Sequence, residues 1–130
     1  MQLSEAVVEA VVVVSDLDRA KRFYEDELGL VRGEEERDVG VRYVCGRGTR
    51  LFLYLSPENA GSSRGTVAAW FVDDLDQTVD ELVSRGVTLE HYDQPGIKTD
   101  DRGVFTAQHL RAAWIKDPDD NTLALTEVRR

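Results

Sequence analysis

The chain has 130 residues, enough for one ordinary domain, and its 42% hydrophobic and 32% charged content excludes wholesale disorder in favour of a buried core. Its formal charge of −9 repels a phosphate backbone and an anionic membrane surface alike, so neither nucleic acid nor a membrane is an expected partner. One cysteine, Cys45, leaves no intrachain disulfide and no Cys-rich zinc site, and its expected role is that of a small buried apolar residue.

Met1 to Ala6 is polar and acidic, unlike the basic start of a signal peptide, and the longest apolar run, Ala10 to Val14, is far shorter than a bilayer span. A cytoplasmic location is expected. Glu9 to Val14 is β-branched and predicts a strand. It runs into Ser15-Asp16-Leu17-Asp18, where Ser15 or Asp16 can cap a helix whose apolar stripe is Leu17, Ala20, Phe23 and Tyr24 and whose stop is Gly29. Short strands come next at about Val31 to Glu35, Val41 to Cys45 and Leu51 to Leu55, with Gly46 and Gly48 in the turn between the last two. Residues 57–65, with Pro57 and Gly61, form a linker.

The same order then recurs. Val67 to Val72 predicts a strand, Asp73-Asp74-Leu75-Asp76 a turn, and Asp74 with Gln77 a capping box. Leu75, Val79, Leu82 and Val83 form the second stripe, stopped by Gly86. Strands are expected at about Thr88 to Tyr92, Ala112 to Lys116 and Thr122 to Glu127, the last two joined by Asp117-Pro118-Asp119-Asp120-Asn121. A loop from about Asp93 to Val104 carries Pro95, Gly96 and Gly103. Each half therefore reads β-α-β-β-β. Module one spans about residues 6–56 and module two about residues 66–127, together a single domain over residues 1–130 of the α+β class. Aligning the two helix ends needs a one-residue gap, so the repeat is approximate.

Three stretches resemble the vicinal-oxygen-chelate superfamily of glyoxalases, bleomycin-resistance proteins and extradiol dioxygenases. Val14 to Leu30, with Phe23-Tyr24 and Leu28-Gly29-Leu30, looks like its first helix; Val72 to Asp76 looks like the second-module equivalent; Ala112 to Glu127 looks like its closing hairpin, with Asp120 where the family usually has glycine. Asp tolerates the left-handed backbone better than most residues. The resemblance covers about Ala6 to Glu127. It implies two curled half-barrel sheets with helices outside, a cavity between them, and a homodimer.

In metal-using members four strands each supply one ligand to that cavity. Counted from the Asp-Leu and Asp-Pro turns, those positions fall here on Glu9, Phe52, Val67 and Ala124. A hard divalent ion needs converging oxygen and nitrogen donors, so the resemblance implies no metal and no cofactor. Glu127 is the carboxylate nearest the fourth position, but an odd offset along a strand turns it to the opposite face.

Strand alternation puts Glu9, Val11, Val13, Phe52, Tyr54 and Ser56 on the cavity side of the first module and Ala69 and Phe71 on that of the second, with Trp70 towards the helix. The Asp93 to Val104 loop, with Gly96 and Gly103 as hinges, can close over this wall and bring Lys98 to it. His109 lies near the expected mouth, whereas His91 reads as a polar strand end. The expected ligand-binding set is Glu9, Val11, Phe52, Tyr54, Phe71, Lys98 and His109; no catalytic residue is assigned. Glu9 has three open roles: a base with its pKa raised by burial, a counter-charge for a cationic ligand, or a bond to a neighbouring Tyr or Arg. The function expected from the resemblance is metal-free binding of a small-molecule ligand. The alternatives are an enzyme of the same fold, with lyase, isomerase or oxidoreductase chemistry, and a subunit whose role is contact with another protein.

Overall fold

Two strand-to-helix turns organise the chain. The computed structural model describes residues 2–129; Met1 and Arg130, the two ends of the expected domain, lie outside the described residues. Strand β1 (Ala10–Val14) leads to α1 (Leu17–Lys21), and strand β5 (Thr66–Phe71) leads to α2 (Leu75–Ser84). Asp16 caps α1 by accepting from the Arg19 N–H, and Asp74 caps α2 by accepting from the Gln77 N–H. The Asp74 capping box is only half made, because the Gln77 side chain donates forward to Glu81 instead of back to the cap.

α1 continues through a wide turn, Arg22–Glu27, in which the Leu28 N–H reaches back to the Phe23 carbonyl. This π-type turn absorbs the one residue by which the chain from Asp16 to Gly29 exceeds that from Asp74 to Gly86. It carries Phe23 and Tyr24 into the core. α2 closes without it: the Val87 N–H bonds the Leu82 carbonyl and the Gly86 N–H bonds that of Val83, with Gly86 in the left-handed region.

The fold is α+β, with two four-stranded curled sheets that do not close into a barrel. In the first, β1, β4 (Arg50–Leu55), β3 (Gly40–Val44) and β2 (Val31–Glu36) lie side by side in that order. β1 runs parallel to β4, and the other pairs are antiparallel. The second sheet includes β9 (Leu110–Lys116) and β10 (Thr122–Val128); β5 runs parallel to β10, which pairs antiparallel with β9.

The repeat departs from the expected pattern at one place. Thr88 to Tyr92 does not form a strand; Leu89 makes an isolated bridge to Ile115, and the edge of β9 is resumed only at β8 (Phe105–Thr106). The intervening chain leaves the sheet and builds a small hairpin of β6 (Asp93–Gln94) and β7 (Ile97–Lys98). A row rich in Asp, Gly and Pro is poor material for a continuous edge strand, which is why pairing lapses there.

One face of each sheet, with Val12, Val14, Leu51, Leu53 and Tyr43 in the first and Ala68, Ala113, Ile115, Leu123 and Leu125 in the second, packs with both helices into a shared core. Trp70 packs against this core. The opposite faces are left open. A buried polar staple joins the halves: the Tyr24 hydroxyl donates to Asp117 Oδ2 at 2.7 Å, and Asn121 Nδ2 donates to Asp117 Oδ2 and to the Val13 carbonyl, both at 2.8 Å. Asp120 sits in the left-handed region at φ 65°, in the role usually taken by glycine. No helix among the described residues is long and apolar enough to cross a membrane.

Candidate functional site

Strand register decides what the open face carries. Val11 pairs with Phe52 and Val13 with Tyr54, and Phe52 in turn pairs with Arg42. Directly paired residues share a face, so these side chains form one wall. Phe71 stands on the corresponding face of the second sheet, three-quarters exposed, and Val11 and Tyr54 are about half exposed. Exposed valine and aromatic surface grouped on one face of a sheet is unusual for a molecule with nothing bound there.

Glu9 precedes β1 and meets the wall at its edge. Arg42 grips it in a bidentate pair, Nε to Oε2 at 2.8 Å and Nη2 to Oε1 at 2.9 Å, while the Arg42 guanidinium lies 5.1 Å from the Phe52 ring centre. Of the three roles open to Glu9, this geometry is the bond to a neighbouring arginine. The carboxyl pKa is lowered, by the Arg42 hydrogen bond first and against the pull of burial, so the expected upward shift is overturned. A carboxylate with both oxygens held by a guanidinium is a poor general base and a poor counter-charge for a second cation.

The metal positions can be tested on the same register. Phe52, Val67 and Ala124 supply no donor, and the carboxylate of Glu9 is committed to Arg42. Among the described residues no group of three or more His, Cys, Asp or Glu side chains is arranged to hold a metal ion. These residues do not fit the family's metal. Glu127 faces the helix side, where its Oε1 accepts the Leu75 N–H at 2.9 Å.

The remaining expected site residues lie elsewhere. Lys98 is exposed on β7, and His109 is exposed in the turn between β8 and β9. Neither belongs to the wall formed by Val11, Phe52 and Tyr54. The loop expected to close as a lid is instead tied down. Thr99 Oγ1 accepts the Tyr92 N–H, and Asp100 Oδ1 accepts the N–H groups of Arg102 and Val104, each at 2.9 Å. Arg102 reaches Asp76 and Asp80 on α2. Tyr92 covers Trp114 on the second sheet edge-on, with ring centres 5.5 Å apart.

Sequence reasoning missed the arginines. Arg42 is placed by alternation on the same face as Phe52 once the β3–β4 register is known, and that register was not legible beforehand. Arg47 and Arg50 line a cleft of about 880 Å³ between the start of β1 and the end of β5, together with Cys45, Thr49, Phe71 and Asp73. Of the expected ligand-binding set only Phe71 reaches it. Cys45 is partly buried against the core and lines the cleft instead of disappearing into the interior.

Known proteins share this architecture. The chain is 26% identical over 129 residues to the uncharacterized protein YraH of Bacillus subtilis (strain 168), covering 90% of this chain and 94% of the relative. It superposes with a TM-score of 0.68 on TnmS3, an antibiotic binding protein from Streptomyces sp. CB03234, at 26% identity and with 95% of this chain and 96% of that one covered. A lactoylglutathione lyase from Agrobacterium tumefaciens has the same fold, with a TM-score of 0.66, 23% identity and coverage of 95% and 93%. The sequence model of the Glyoxalase/Bleomycin resistance protein/Dioxygenase superfamily matches residues 6–125, nearly the whole of both sheets and both helices, and the chain belongs to that superfamily.

Proposed function

We propose that this protein is a metal-free small-molecule-binding member of its superfamily, working in the cytoplasm as a homodimer and holding an apolar or aromatic ligand against the open faces of its sheets. The observation that carries this reading is the wall of Val11, Phe52 and Tyr54, with Phe71 exposed on the corresponding face of the second sheet, apolar side chains left bare beside four positions that do not make a metal site. The likeness to TnmS3, described as an antibiotic binding protein, supports binding in preference to catalysis. Tyr54 stacks on the ligand, and Phe71 closes the other side.

A thermal-shift screen of neutral and cationic aromatic compounds on wild type, Tyr54→Ala and Glu9→Gln tests it. Loss of an aromatic wall costs about 1–3 kcal/mol of binding, so Tyr54→Ala weakens a true ligand by roughly tenfold or more. Glu9→Gln changes ligand preference little, because Arg42 already neutralises Glu9. Equal shifts for wild type and Tyr54→Ala across every compound that binds overturn this choice of wall.

A further inference from the structure

The two ends of the seam between the sheets are built differently. Each is faced by a five-residue turn closed in the same way: the Asp117 N–H bonds the Asn121 carbonyl at 3.0 Å, and the Cys45 N–H bonds the Thr49 carbonyl at 2.8 Å. At one end the third residue of the turn, Asp119, fills the gap. Its carboxylate accepts from the backbone N–H of Ser15 at 3.0 Å and from the Ser15 hydroxyl, and Arg19 pairs with it at 3.0 Å. At the other end the third residue is Arg47, held in the left-handed region at φ 56°, and the residue matching Ser15 is Asp73. There the seam stays open as the cleft of about 880 Å³.

The charge of this cleft runs against that of the molecule. Among the described residues Arg47, Arg50 and Asp73 are its charged lining residues, two positive and one negative, in a chain of formal charge −9. Arg50 stands 3.7 Å from Glu9 in an ion pair that it shares with Arg42, and its side chain is 39% exposed. Its Nε is buried and makes no hydrogen bond among the described residues, Glu9 Oε2 being bonded by Arg42. The buried Nε is out of a ligand's reach, so the exposed remainder of the guanidinium is what Arg50 can offer to the cleft. The rest of the lining includes Ala10, Ala69, Trp70 and Val128, which offer apolar surface.

We propose that this cleft binds a small organic monocarboxylate with an apolar body, its carboxylate held by Arg47 and Arg50. A guanidinium presents its N–H groups in a fork that matches a carboxylate, and a local net charge of one suits a monoanion better than a phosphate monoester. The site shares only Phe71 with the Val11, Phe52 and Tyr54 wall, and it stands whether or not that wall binds a ligand.

The probes are 1-naphthoate, its neutral isostere 1-naphthamide, and 1-naphthyl phosphate, titrated into the full chain. Two readouts report on the cleft: the Nε–H resonances of the arginines, and the rate at which iodoacetamide alkylates Cys45, the only thiol in the chain. Naphthoate is expected to shift the Arg50 resonance and slow alkylation, to bind at least about tenfold more tightly than naphthamide, and to lose that margin in Arg47→Gln and in Arg50→Gln. Arg47 is exposed, so Arg47→Gln keeps the test valid if Arg50→Gln disturbs folding. Tyr54→Ala is expected to leave naphthoate binding unchanged, which separates this site from the apolar wall. Tighter binding of the phosphate than of the carboxylate, equal binding of acid and amide, or absence of any naphthoate effect on either readout overturns the proposal.

Discussion

Single side chains carry much of the internal order. Tyr24 is fully buried at the wide turn, and its hydroxyl finds one acceptor, Asp117. Burial first, then the adjacent Asp117 charge, pushes its phenol well above the ordinary range, so the group stays a donor at every accessible pH. Tyr24→Phe leaves the ring packing intact and removes the donor from a buried carboxylate; urea unfolding is expected to show a loss of about 1–3 kcal/mol. Glu9 and Arg42 make a partly exposed pair, and their contribution depends on pH. The folded-state pKa of Glu9 lies below its ordinary value of 4.5, so its stabilisation is present above that value and is lost as pH falls through the folded pKa. Glu9→Gln is therefore expected to lower the urea midpoint at neutral pH, with the gap to wild type closing as the solution is acidified past the carboxylate range. A gap that stays constant into acid assigns the effect to packing instead of charge.

At the scale of elements, the excursion between Leu89 and Phe105 is the part with most local control. Asp100 organises it by accepting two backbone N–H groups, and the Val104 hydrogen bond first, with that of Arg102, lowers its pKa. Asp100→Ala is expected to speed amide exchange across residues 91–104 while leaving the exchange of β5 and β10 unchanged, and wild type is expected to show the same local loosening as pH falls through the folded pKa of Asp100. This segment was also the least legible in the sequence. The two strand-helix turns could be read because Asp16 and Asp74 cap, and Gly29 and Gly86 stop, helices by local chemistry. The one-residue difference between the helices was visible too, though not that it would be taken up as a wide turn at Tyr24. Thr88 to Tyr92 looked like a strand because its residues suit one. Whether an edge strand forms there depends on the chain beyond Tyr92, and hydrogen bonds to Asp100 and Thr99 draw that chain away from the sheet. The wall residues Val11, Phe52, Tyr54 and Phe71 came from the family's counted positions, carried along each strand by alternation. The settings of Glu9, Arg47 and Arg50 did not, since their partners or neighbours come from other strands and a turn.

The molecule as a whole has one face out of balance. Val11, Val31, Val44 and Tyr54 lie on the open side of the first sheet, each more than two-fifths exposed, and Phe71 adds to them from the second. An open face with this much exposed apolar surface, interrupted by Arg42 and Arg50, calls for a cover, and a second copy of the chain is the proposed one. Sedimentation is expected to give a homodimer at micromolar concentration, and Val44→Glu to shift it towards monomer by burying an unpaired charge at the contact. A wild-type monomer under those conditions removes the dimer from the proposal. The staple at Asp117 bears on a different matter, the order in which the molecule is completed. Tyr24, Val13 and Ser15 belong to the first half, yet their partners Asp117, Asn121 and Asp119 lie 93 to 108 residues further along. During synthesis the first sheet can pair its own strands, but its buried phenol and the end of β1 have no acceptor or donor to meet until the closing hairpin leaves the ribosome. The first module emerges first and is finished last.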